Sequence, residues 1–143
     1  MINIILRREE LIERIVPQNF YLKITTNENV IQYCIDMFNS EIKWDGMFNL
    51  DQALDRIKNG DKMYVAYYKD EIFGYCWLRP TFNGFFIMNL FCKKPTALRK
   101  IWAIDLMYLL LRDYSTGIIT AEVNEFNRKI IIYGALILGF KIN

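Results

Sequence analysis

The chain has 143 residues, 53% of them hydrophobic, which suits one domain over residues 1–143 and would leave two domains each with a marginal core. A net charge of +2, from 18 basic and 16 acidic residues, gives no strong electrostatic case for a nucleic acid or an anionic membrane as partner. Histidine is absent, which excludes a Ser-His-Asp triad and any His-ligated metal site.

From the N-terminus, Met1 to Leu6 is too short for the apolar core of an export signal, and its charges, Arg7 and Arg8, follow it rather than precede it. Glu9 to Ile15 reads as a short helix ending before Pro17, and Asn19 to Ile24 as a first strand. Thr25, Thr26 and Asn27 are candidate N-caps for a helix striped by Val30, Ile31, Cys34, Ile35 and Phe38. Ile42 to Phe48 lacks periodicity and reads as an aromatic loop suited to line a cleft. Asn49 caps a second helix, which Asn59-Gly60 ends.

Met63–Tyr68 and Ile72–Leu78 read as a hairpin turned at Lys69-Asp70-Glu71, with Gly74 marking a bulge or a close backbone approach. Phe85–Cys92 extends it to a three-stranded meander. Pro95-Thr96 suits the start of a helix that runs through Leu111 and is broken at Ser115-Thr116-Gly117. Ile118–Asn124 is a strand, and Arg128–Leu138 a helix closed by Gly139, with a buried strand as the competing reading. The longest apolar run, Ile130 to Phe140, falls well short of the roughly 20 residues that span a bilayer. Cys34, Cys76 and Cys92 have no metal-like spacing and read as reduced, packed thiols of a cytoplasmic protein.

The order strand, two helices, meander, helix, strand, helix, terminal strand resembles the GCN5-related N-acetyltransferase (GNAT) superfamily. Particular matches are Val65-Ala66-Tyr67 with Ile72-Phe73-Gly74-Tyr75, Asn89-Leu90-Phe91, and Ala121-Glu122-Val123 followed by Asn127 and Leu138-Gly139-Phe140. The resemblance implies an α/β (α+β) fold with a mixed, mostly antiparallel sheet flanked by helices. It also implies acetyl-CoA in a gap between Phe85–Cys92 and Ile118–Asn124, its diphosphate on backbone N–H groups at the start of the next helix. The implied cofactor contacts are Leu90, Phe91, Cys92, Arg99, Lys100, Ala103 and Asn127.

The family loop Q/R-x-x-G-x-G/A is matched here only at Ala103: Leu98 stands at the Gln/Arg position and Ile101 at the first glycine. The fourth strand has no carboxylate, which leaves Glu122 as the implied general base, with a solvated strand residue as the plainer reading. The family's acid, a tyrosine four residues before Gly-Phe, falls on Ala135; Tyr133, displaced by two, is a weaker candidate, turned away by roughly half a revolution.

Two functions follow. One is an acetyl-CoA-dependent N-acetyltransferase acting on an amine of a small molecule or a peptide. The other is a non-catalytic GNAT-like structural or binding module, such as those some phages build into virions, in which case the protein would act in the host cytoplasm or the virion. The chain stops at Asn143, so the family's seventh strand is expected to be missing, the C-terminal end shortened, and a partner or second copy to pack near residues 118–143.

Overall fold

The computed structural model describes residues 1–41, 49–98, 100–125 and 128–143, with the backbone alone for Arg128, Ile130 and Ile131. The aromatic loop expected over Ile42 to Phe48 lies outside the described residues, as do Arg99 and Asn127.

Seven strands of the described residues form one sheet. They are β1 (Ile2–Arg7), β2 (Phe20–Thr25), β3 (Lys62–Tyr68), β4 (Glu71–Thr81), β5 (Gly84–Cys92), β6 (Ile118–Val123) and β7 (Lys141–Ile142), in the order β2-β3-β4-β5-β6-β1-β7. Every pairing is antiparallel except β5 with β6. Helices α1 (Glu28–Glu41) and α2 (Leu50–Lys58) cover one face, and α3 (Ala103–Tyr114) and α4 (Arg128–Leu138) the other.

Local sequence chemistry explains most of these boundaries. Asn27 caps α1 through its side-chain oxygen, and Asn49 caps α2 by accepting from Gln52 N–H at 2.8 Å. Lys69 and Asp70 both adopt positive φ, which gives the β3–β4 hairpin the tight two-residue turn whose twist matches the strands. Gly139, at φ +107°, ends α4: its N–H reaches Leu136 and that of Phe140 reaches Ala135, the paired bonds of a Schellman close. The helical reading of 128–138 therefore prevails over the strand.

Each sheet face has its own core. Met63, Val65, Tyr75 and Trp77 meet Ile31, Cys34, Ile35 and Phe38 of α1; Ile4, Leu6, Phe73, Cys76 and Ile119 meet Leu106, Leu109, Leu110, Ala135 and Leu138 of α3 and α4. Gly74 serves the second: a Cβ there would stand 2.5 Å from Phe91 O and 2.8 Å from Leu106 Cδ1. The register shift beside it is the expected irregularity.

Three expectations need correction. Glu9 to Ile15 is not a helix; a single 3-10 turn, Arg8–Glu10, is followed by an irregular strap over residues 11–19. Helix α3 begins at Ala103, not at Pro95-Thr96. The sheet also does not lack its seventh strand. The N-terminal β1 lies between β6 and β7 and pairs with both, so the edge of β6 is covered and the two-residue β7 stands at the edge of the sheet.

Strand β1 thus fills, from the N-terminal side, the position between β6 and β7. Asn143 N–H bonds Asn3 O at 2.9 Å, so the two chain ends lie side by side on β7 and β1. Joining Asn143 to Met1 through about three glycines would turn β7 and β1 into a hairpin. A permutant joined in this way and opened between Pro17 and Gln18 is expected to fold, with an unchanged circular dichroism spectrum and a Tm within about 5 °C of the parent. An unfolded permutant would mean that the strap must be continuous.

Candidate functional site

The place to look for chemistry is where β5 and β6 part. Their parallel pairing covers only Gly84–Ile87 against Ile118–Ala121, and it stops at the residue before a bulge: opposite β4, Leu78 pairs with Ile87 and Trp77 with Asn89, leaving Met88 unpaired. A bulge bends the strand that carries it. Beyond Ile87 no strand of the described residues lies against the β6 side of β5, and a gap opens with Met88–Cys92 on one arm and Glu122–Val123 on the other.

Side chains alternate across the two arms. Leu90 and Cys92 turn to the α3–α4 core, while Phe91 turns to the α1–α2 core and meets Phe38 edge-on. Cys92 donates its thiol to Lys93 O at 3.3 Å. On the α1–α2 side the Tyr75 hydroxyl donates to Asn89 Oδ1 in a short hydrogen bond. Burial, reinforced by the neighbouring thiols of Cys34 and Cys76, pushes the Tyr75 phenol well above its usual range, so it stays protonated and acts as a donor. Lys93 closes that side of β5, donating to the Tyr33 hydroxyl at 3.2 Å with its ammonium 5.6 Å from the ring centre.

Of the expected catalytic residues, Glu122 stands on β6 just past the last β5–β6 pair, exposed and opposite Asn3 of β1. It is therefore at the mouth of the gap, on the sheet face away from α3 and α4. Tyr133 is not at the gap. It is 65% exposed on the outward face of α4, whose inward residues are Ile132, Ala135 and Leu138. Among the expected cofactor contacts, Lys100 and Ala103 are exposed.

The start of α3 is where a diphosphate would sit, and it is already engaged. Asp105, in the first turn, accepts Trp102 N–H at 2.8 Å and Arg14 Nε at 2.7 Å, and its side chain is 4% exposed. A carboxylate at this position satisfies a helix N–H and complements the positive end of the dipole. The N–H it satisfies is that of the capping residue Trp102, and its charge stands at the positive end of the dipole. Ile101, at the expected first-glycine position, is fully buried in the α3–α4 core. The strap meets α3 where Arg14 bonds Asp105, and a depression of about 290 Å³ there is lined by Glu13, Arg14, Ile15 and Tyr108. A second anion brought to this helix start would lie against the Asp105 carboxylate, so the residues present do not fit a diphosphate.

Asp105 and Arg14 were not among the sequence candidates. Asp105 had a signal, an acid three residues after the capping position. Arg14 had none, being 91 residues away.

No protein-family profile matches the sequence, and no curated protein matches it. Solved structures do match in shape. A GCN5-related N-acetyltransferase from Sphaerobacter thermophilus superposes with a TM-score of 0.72 at 11% identity, over 99% of this chain and 48% of that one. The chain has a GNAT-like fold. A functionally unknown conserved protein from Staphylococcus epidermidis gives 0.69 at 12% identity, covering 99% of this chain and 57% of its own. A tandem GNAT protein from the clavulanic acid biosynthesis pathway gives 0.58 at 16%, covering 99% and 49%. The chain therefore spans about half the length of the solved structures it matches.

In this GNAT-like sheet the strand between β6 and β7 comes from the N-terminus, and the gap between β5 and β6 keeps its place. No group of acidic, cysteine or histidine side chains suited to a metal ion occurs among the described residues, and no helix of the described residues is long and apolar enough to cross a membrane.

Proposed function

We propose that this chain is a GNAT-fold binding module that does not use acetyl-CoA, related in architecture to N-acetyltransferases and working through its surface rather than through a thioester. The observation that supports this reading is the start of α3, where the Asp105 carboxylate, bonded by Arg14, already sets a negative charge at the positive end of the helix. Fold alone gives no activity, since one architecture hosts many functions.

The gap itself supports a second reading, N-acetyltransfer to a small-molecule or peptide amine. Glu122 at its mouth is the one expected catalytic residue placed there, and it would act as the base. Among the described residues neither tyrosine considered suits the acid role: Tyr75 is buried and engaged with Asn89, and Tyr133 faces away.

Isothermal titration separates the two. With acetyl-CoA at millimolar concentration the first reading expects no heat of binding, and no acetyl transfer to amine acceptors by the parent or by Glu122→Gln. Micromolar binding would sink it, and turnover lost in Glu122→Gln would establish the enzyme.

A further inference from the structure

Helix α4 is apolar on both sides. Inward, Ile132, Ala135 and Leu138 join the core; outward, Tyr133, Leu136 and Ile137 are 65%, 41% and 55% exposed, and no charge follows Lys129. A helix that is apolar all round belongs in an interior. Ile12 of the strap adds to the same surface, since its N–H bonds Leu138 O at 3.0 Å and its side chain is exposed. Something is expected to cover this face.

We infer that the cover is a second copy of this chain, with the two α4 helices packed antiparallel across a twofold axis near Tyr133. Lys129, Tyr133, Leu136 and Ile137 form one stripe at helical spacing. Turned through a twofold, the stripe meets itself apolar to apolar. Its one charged end, Lys129, then lies over the C-terminal end of the other α4, the negative end of that helix dipole. Glu10 stands at that end as well, its carbonyl oxygen 2.7 Å from where a Cβ on Gly139 would be and its carboxylate 3.6 Å from Lys141 Nζ. With Glu10 already paired to Lys141, it is the helix dipole that Lys129 complements, and the apolar stripe is complementary to itself, the requirement for an isologous dimer.

The area agrees. The exposed parts of Tyr133, Leu136, Ile137 and Ile12 amount to roughly 450 Å² per chain, taking about 200–250 Å² for each fully exposed side chain. Two copies bury about twice that, which with a polar rim reaches the lower range of specific interfaces, about 1,200 Å². This inference stands whether or not the gap binds a cofactor.

Light scattering and sedimentation equilibrium between about 5 and 200 μM test it. The parent is expected to dimerise, with Ile137→Lys, which sets a second cation against the partner copy's Lys129, weakening association at least about 30-fold, the loss typical of an interface hot spot. Tyr133→Lys, at the most exposed position of the stripe, is expected to do the same and costs the monomer little. Under mild oxidation Tyr133→Cys should give a covalent dimer, whereas Ile142→Cys, on the β7 edge, should not. A parent that stays monomeric at 200 μM overturns the inference. So does a dimer that both charged variants leave intact, or one that cross-links through Ile142→Cys alone.

Discussion

A chain lacking residues 1–10 is expected to lose its cooperative fold. Strand β1 is an interior strand, paired over six residues with β6 and over two with β7. Its Ile4 and Leu6 are each 1% exposed and belong to the α3–α4 core. Burying two such side chains contributes about 3–6 kcal/mol, a large part of the 5–15 kcal/mol that holds a typical domain. Deletion also strips β7 of the strand it pairs with among the described residues and bares the edge of β6. Leu6→Asp makes the same point with one substitution: a carboxylate without a partner in that core costs about 3–5 kcal/mol, enough to remove most of the melting transition. Ile5→Thr, on the half-buried opposite face, serves as the control and should shift Tm by only a few degrees. Thermal melts followed by circular dichroism read all three. A truncated chain that melts cooperatively near the parent Tm would show that β1 is an ornament on a sheet complete without it.

The sequence foretold every strand from β2 to β6 and three of the four helices with their limits close to those observed, because each carries its own punctuation. Asn27 and Asn49 cap, Lys69-Asp70 turns, and Gly139 closes. Strand β1 is not legible in the sequence because its slot is defined by residues more than 100 positions away, and nothing local marks Ile2–Arg7 as interior rather than frayed. The strap shows the reverse failure. Leu11, Ile12 and Ile15 have helical spacing, yet Ile12 bonds the end of α4 and Arg14 bonds Asp105, and these tertiary bonds override a weak local preference. The bulge that opens the gap falls at Met88, in a stretch from Phe85 to Cys92 without glycine, so no residue type announced it. The early start expected for α3 has a comparable cause: Pro95-Thr96 suits a first turn, but Ile101 is drawn into the core and Asp105 caps from inside.

Replacing Asp105 is expected to have the next largest effect, and it separates the structural role of this residue from its effect on ligands. Asp105→Ala removes the acceptor for Trp102 N–H, a loss of about 1 kcal/mol by the measure of other helix caps. It also strands Arg14, whose side chain is 29% exposed and recovers part of its solvation from water. Together these give about 2–3 kcal/mol, a fall in Tm of about 5–12 °C for a domain of this size. Asp105→Asn keeps an acceptor for Trp102 and gives up only the charge, so its fall should be about half as large. If the site is closed by its whole construction, with the Trp102 N–H engaged, Ile101 buried and the strap alongside, then neutralising Asp105 leaves acetyl-CoA without measurable affinity. Micromolar binding by Asp105→Asn, with none by the parent, would instead show that one carboxylate bars an otherwise competent cradle. The distinction matters for the fold as a whole. In the first case the α3 start has been rebuilt as a structural joint between the strap and the helix; in the second it remains an anion site that one substitution reopens.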